Sequence, residues 1–436
     1  MATLTSLPNE ILIQIFGHCK VLPLTLVSKQ FNNLISNTPS LMKKFHLLIT
    51  ERSKYLEIAQ SKRKHQKVLI KFNYKINSSI LEVLKTLKDQ IKNLELMRCI
   101  LTEDLFIEIM ESLPNLETLS IYTTYLKSNL EFKEAIMKPL ECMKHLRILN
   151  FRNSDQKFLY LLKKSSLITT INISLPHQYP SNVITDFLQD HQDVEIIENL
   201  MVSEIEQTIL LYVLCNMKNL KKLCIEIDKI QMEEIRNLEI ENTSIRTLNL
   251  YGSPLDPVDF NIIIGFFKNL ANLELEINSV LEPINMVQLQ RSAPQIKSLK
   301  IMNCYGDFFN QITLSNLKIF EIYDISSFSQ ADWISFSRRN TKIEVLTIKD
   351  EAVTNEIFMT ITQELRNLRY FEVFYDPQRL TNEILNYICD PLFPQNIRTV
   401  KIRKRHWLQY SNSFFSLTTE HKNSLNKNLG FTLILK

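Results

Sequence analysis

Tyr122, Tyr251, Glu274, Glu276, Glu321, Tyr323, Glu372 and Phe374 recur at matching places in this chain, each beside the apolar residues of a short LxL core. Rings and carboxylates in that arrangement do recognition chemistry. The rings anchor a partner by burying large area, and the acids steer a basic segment toward them. Side chains that break bonds are not arranged to do so. The seven Cys include no CxxC pair, and the eight His include no HxxxH pair. No Gly-rich phosphate loop, GxSxG or paired metal-ligand spacing occurs. The sequence therefore predicts a non-enzymatic binding protein, with no catalytic residues, no metal site and no cofactor.

The elements that must position those side chains follow from one spacing rule. A pattern LxxLxL, with Ile, Val or Phe allowed at the apolar places, returns about every 25 residues from residue 91 to residue 402. Examples are Leu116, Leu119 and Ile121, then Leu146, Leu149 and Phe151, then Ile245, Leu248 and Leu250, and last Ile397, Val400 and Ile402. One unit is poor, at Val194 and Ile197. The alternation through each LxL core is that of a strand with one buried face. Between the cores lie helical stretches such as TEDLFIEIMESLP and TNEIFMTITQELRN. A strand-plus-helix unit cannot bury its own apolar face, so units stack, and their strands form a parallel sheet on the concave side. The predicted fold class is α/β, a leucine-rich-repeat solenoid of horseshoe form.

After the LxL core, such repeats place an Asn or Cys that hydrogen-bonds the turn. Cys99, Cys304 and Asn278 hold that place here, and Thr124, Ser253 and Asp228 hold it in other units. The units resemble the cysteine-containing and ribonuclease-inhibitor-like repeats.

Composition bounds the rest. A chain of 436 residues, 45% hydrophobic with 5 Gly and 14 Pro, is folded rather than disordered. Its net charge of +4 is small for that length and does not argue for a nucleic-acid partner. No apolar run is long enough to span a bilayer, and the N-terminus lacks the basic start and apolar core of a signal peptide. A cytoplasmic and/or nuclear protein with reduced thiols and no membrane partner is expected.

Residues 1–50 obey a different rule. Pro8 suits the first turn of a helix, and Ile11, Leu12, Ile15 and Phe16 then fall on one helical face. A second helical run carries Phe31, Leu34 and Ile35 and breaks at Pro39. Three short helices hold little core, so an apolar face is left for a partner. The opening LPNE, the following ILIQIF, LVSKQFNNLI and TPSLMKKF resemble an F-box, the helical motif that docks receptor proteins onto the Skp-type adaptor of cullin-RING ubiquitin ligases. Met42 stands where that motif commonly has Trp. The resemblance implies adaptor contacts by Leu7, Pro8, Ile11, Leu12, Ile15 and Phe16, supported by Val27, Phe31 and Leu34.

An F-box followed by leucine-rich repeats resembles the F-box and leucine-rich-repeat family of SCF substrate receptors. That resemblance implies a substrate-recognition subunit of an SCF-type E3 ubiquitin ligase. Its small all-helical F-box would bind the adaptor and, through it, the cullin-RING ligase. Its repeats would bind a protein substrate, of unknown identity, for ubiquitination and proteasomal degradation. The alternative is a non-catalytic leucine-rich-repeat scaffold with no role in ubiquitin transfer. The expected boundaries are an F-box at 1–50, a basic linker at 51–67 containing SKRKHQK, and the solenoid at 68–406, opening with a strand at 68–72. A capping segment follows at 407–436, where Phe431, Leu433 and Leu435 alternate to cover the last edge.

Overall fold

The computed structural model describes residues 7–19, 25, 27–42, 45–60, 63, 65–72, 76, 79–127, 140, 143–162, 167–175, 182–190, 194–202, 207–226, 235, 241–252, 257–277, 289–302, 304–305, 313–323, 325–326, 329–349, 353–375, 379–404, 421 and 432–435. The chain divides into two compact units, Met1–Glu204 and Ile205–Lys436.

The first unit opens with helices α1 (Asn9–His18), α2 (Lys29–Asn37) and α3 (Pro39–Met42). Pro8 holds φ −54° ahead of α1, and its carbonyl accepts the N–H groups of Ile11 and Leu12 at 3.1 Å each. Helix α2 starts where Ser28 Oγ accepts the Phe31 N–H at 3.1 Å, satisfying a donor that the helix itself cannot. Leu12 and Phe16 are four residues apart, as are Phe31 and Ile35, so each pair shares a face. Those faces close on each other with Leu41 and Met42 between them, all buried.

Seven parallel strands follow in chain order: β1 (His46–Ile49), β2 (Lys67–Lys71), β3 (Asn93–Met97), β4 (Thr118–Tyr122), β5 (Ile148–Arg152), β6 (Thr170–Ser174) and β7 (Asn199–Val202). Each pairs with the next. The register puts Leu94, Leu119, Leu149, Ile171 and Leu200 in one inward row with almost no exposure. Helices α4 (Tyr55–Ala59), α5 (Ser79–Thr86), α6 (Glu103–Glu111), α7 (Lys157–Leu162) and α8 (Asn182–Asp190) make the returns. In α6, Thr102 Oγ1 accepts the Leu105 N–H at 3.3 Å, and Phe106, Ile109 and Met110 face inward at helical spacing.

Three sequence expectations differ from the structure. The sheet opens at His46, not at residue 68, because β1 pairs with β2 from His46↔Lys67 to Ile49↔Ile70. Only Ile49 of β1 is buried, so the strand shows no LxL core. The stretch expected as a linker contains α4, and Arg63 Nη2 donates to Asn32 Oδ1 of α2 at 3.0 Å. The poor repeat expected at Val194 and Ile197 lies in a different register. Its pattern is Ile197, Leu200 and Val202, all buried, while Val194–Ile196 is a 3₁₀ turn ahead of β7.

The turns after the strands stack as well. Arg98, Thr123 and Asn153 follow β3, β4 and β5 at equivalent places with φ of 55°, 50° and 48°, in the left-handed region. That conformation aims each N–H at the next repeat: Arg98 at Tyr122 O (2.9 Å), Thr123 at Arg152 O (2.9 Å) and Asn153 at Ser174 O (2.7 Å). One residue later, Thr124 Oγ1 accepts the Cys99 N–H at 3.4 Å and Ser154 Oγ accepts the Thr124 N–H at 3.0 Å. Hydroxyls therefore do what an Asn ladder does in other repeats. Asp228, Ser253 and Asn278 lie outside the described residues, and Cys304 begins a short strand, Cys304–Tyr305, paired to Ile325–Ser326.

Among the described residues the main sheet of the second unit repeats the plan with nine strands: β8 (Lys222–Glu226), β9 (Thr247–Gly252), β10 (Asn272–Ile277), β11 (Ser298–Ile301), β12 (Ile319–Tyr323), β13 (Val345–Lys349), β14 (Tyr370–Tyr375), β15 (Thr399–Lys404) and β16 (Thr432–Leu435). All pair in parallel with their sequence neighbours. Leu223, Leu248, Leu273, Leu299, Phe320, Leu346, Phe371 and Val400 form the inward row, and each is buried. Ahead of the strands runs a ladder of amide side chains that the sequence reading did not find. Asn269 donates to Thr243 O (2.7 Å), Gln295 to Lys268 O (2.7 Å), Asn367 to Thr341 O (2.8 Å) and Asn396 to Leu368 O (2.8 Å). At the far end β16, within the stretch expected to cap the array, lies along the edge of β15.

Candidate interaction surfaces

The F-box residues expected to meet an adaptor sort into two groups. Leu12 and Phe16 are closed inside the three-helix core and have no surface to offer, which corrects their expected adaptor contacts, while Phe31, expected to support the contacts, packs in the same core. Helical spacing alone does not tell which of two adjacent apolar stripes faces inward. Ile11 remains 41% exposed and Val27 66% exposed, and Pro8 is exposed as well. Leu7, Ile15 and Leu34 are half-buried, packed on the core with one side open.

On the strand faces, the register aligns the outward side chains into columns. In the second unit one column runs Asn249, Glu274, Lys300, Glu321, Thr347, Glu372 and Lys401. Tyr251 stands beside Glu276, Tyr323 beside Lys349 and Phe374 beside Arg403 in the next column. Tyr122 belongs to the first unit, between Met97 and Arg152.

The acids expected to steer a basic segment do not form an acidic patch. Glu274 pairs with Lys300 and accepts from Asn249 Nδ2 at 2.9 Å. Glu321 Oε1 lies 2.5 Å from Lys349 Nζ and 2.5 Å from the Tyr323 hydroxyl, which donates to it. Glu372, itself buried, accepts from Lys401 Nζ at 3.1 Å and from the Tyr370 hydroxyl at 2.5 Å. Arg403 Nε stands 2.9 Å from its other oxygen as an ion pair without hydrogen-bond alignment. Glu274 faces Lys300 and Glu372 faces Lys401 directly, while Lys349 reaches Glu321 diagonally, and this cross-strand matching of opposite charges consumed the three acids. Only Glu276 is an exposed acid among them.

Titration follows from the same contacts. Burial opposes the charged form of Glu321, yet Lys349 and Tyr323 outweigh it and hold the carboxyl below its ordinary 4.5. Burial and the neighbouring Glu372 push the Tyr370 hydroxyl up to about 12. Burial also pushes the thiols of Cys99 and Cys224 up to about 11, so neither supplies a thiolate nucleophile near neutral pH. Among the described residues no three His, Cys, Asp or Glu side chains gather as a metal site. No described helix is long and apolar enough to cross a membrane.

The F-box-like family model matches residues 4–48, the span that builds α1, α2 and α3. No curated protein matches the chain. Solved structures that align with the chain include one from the crystal structure of the Rad7 and Elc1 complex in yeast, 15% identical over 86% of this chain and 88% of that chain, with a TM-score of 0.42. Another is a chain of the TLR13–ssRNA13 complex, 14% identical over 91% of this chain and 60% of that chain, with a TM-score of 0.46. Residues 4–48 thus match the F-box-like model, and a repeating array of parallel strands follows them.

Proposed function

We propose that this chain is the substrate-recognition subunit of an SCF-type ubiquitin ligase. The F-box docks a Skp-type adaptor and, through it, a cullin, while the repeats hold a protein substrate in the cytoplasm or nucleus. The chain itself makes and breaks no bond. It raises the effective concentration of substrate lysines around a ubiquitin-charged enzyme elsewhere in the complex. The observation that carries this reading is the pair Ile11 and Val27, apolar and exposed on a segment that matches the F-box-like family. An F-box that had only to cover the first repeat would turn those side chains inward.

The test is reconstitution with purified adaptor, cullin and RING subunits. Co-purification of the adaptor together with cullin-dependent ubiquitin transfer to a captured protein supports the reading. Adaptor binding without transfer assigns the chain to scaffolding instead, and absence of adaptor binding overturns both.

A further inference from the structure

Among the described residues, the outward strand face of the first unit carries positive charge without ion-pair partners. Lys67, Lys71 and Arg152 point outward from β2 and β5 with the single acid Glu95 between them on β3. Among the described residues none of the three cations makes an ion pair, whereas Lys300, Lys349 and Lys401 of the second unit each lie on a glutamate. Lys71 and Arg152 share one column, Lys71, Met97, Tyr122 and Arg152, so they stand about 14 Å apart at three strand spacings. Four residues of extended chain cover about that distance.

The ground between the cations is built for a peptide. Asn172 Nδ2 donates to Asn150 Oδ1 at 2.6 Å, and Asn150 Nδ2 donates to Ser120 Oγ at 2.9 Å, leaving a row of amide and hydroxyl groups along the face. His46, Lys67, Asn93, Glu95, Thr118 and Ser120 line a shallow depression beside that row. Leu69, Met97 and Tyr122 add half-buried apolar surface, the kind that anchors protein partners. A nucleic-acid backbone needs many cations tracking successive phosphates, and three are present here.

We infer that the outward face of β2, β3, β4 and β5 takes an extended, acidic segment of a protein substrate, with Asp or Glu carboxylates at Lys67, Lys71 and Arg152. This rests on the receptor reading above and names its substrate class. The face would hold carboxylates at its two ends and main-chain amides over the Ser120 and Asn150 row. Arg152 can meet a carboxylate in two-point fashion, and the two lysines act as point charges.

The test uses the full chain bound to its adaptor and a fluorescein-labelled ten-residue peptide in which Glu alternates with Ser and Leu, read by fluorescence anisotropy. Counterparts carry Gln or Lys in place of Glu, and a ten-nucleotide single-stranded RNA serves as a fourth probe. The Glu peptide should bind at least tenfold more tightly than the Gln peptide and weaken as salt is raised. Lys71→Glu with Arg152→Glu should cost at least tenfold and turn the preference toward the Lys peptide, while Lys349→Glu should change affinity less than twofold. If the double reversal lowers the melting temperature, Arg152→Gln alone should still cost about threefold. Equal binding of the Glu and Gln peptides, no effect of the reversal, or tighter RNA binding lost in the same variant each overturns the inference. Adaptor capture and ubiquitin transfer are read in the same preparation. If they persist while the peptide fails, this docking surface falls and the receptor reading stands; if adaptor capture fails, the receptor reading falls.

Discussion

Phe16 and Phe31 meet edge to face, ring centroids 4.9 Å apart and planes at 70°, and that contact joins the first two helices of the F-box. Both rings are closed from solvent, so their work is to hold the domain together. Phe16→Ala is expected to cost about 3–5 kcal/mol, enough to unfold so small a core. Ile11→Ala, one turn back on the open face, should leave the fold unchanged. Thermal unfolding of the two variants checks this, and equal losses would mean that the inward face is misassigned.

Leu248 and Asn249 test the strand register in the same way. Leu248 lies in the inward row, so Leu248→Asp buries a charge without a partner and should destabilise by about 4 kcal/mol or more. Asn249→Asp loses a hydrogen bond to Glu274 and sets two acids together, at a cost of about 1 kcal/mol. Chemical denaturation midpoints separate them.

The hydroxyl ladder in the turns is open to a third test. Thr124→Val removes the acceptor of the Cys99 N–H inside a buried turn and should cost about 1–3 kcal/mol. Thr124→Ser keeps the oxygen and should recover most of that loss. A valine variant as stable as the serine variant would show that the ladder contributes nothing.

Acid sensitivity follows from Glu321, whose folded pKa lies below its ordinary 4.5. Its stabilisation is complete above the unfolded value and is lost as pH falls through the folded one. Lys349→Gln removes the largest favourable contact. The variant should therefore be less stable than the parent at pH 6, and the gap should narrow as the pH is taken below 4.5 toward 3. A gap that stays constant with pH would rule out the Glu321 pair as its source.

Much of this architecture was legible because LxxLxL is a local rule. Leu119 and Ile121 announce an inward row without reference to anything distant, and the strand falls where that spacing puts it. His46–Ile49 escaped because a strand with one buried residue carries no such signature. Ile197, Leu200 and Val202 escaped because Val194, three residues earlier, offered a competing start. The candidate sites were less legible for a different reason. Glu274 and Lys300 are 26 residues apart in sequence, and only the register places one on the other. Listing outward residues strand by strand finds the acids and misses their partners. For the F-box, Leu12 and Ile11 differ by one position and by their whole environment, a distinction that depends on where α2 packs.

The most direct measurement of the central claim is the affinity of a purified Skp-type adaptor for the full chain, compared with the variant carrying Ile11→Asp and Val27→Asp. Each exposed apolar anchor in such an interface contributes on the order of 2 kcal/mol, so the double variant should bind at least a hundredfold more weakly with an unchanged melting temperature. An unaltered chain that does not bind the adaptor, or a double variant that binds it undiminished, would contradict the assignment of this face to adaptor docking.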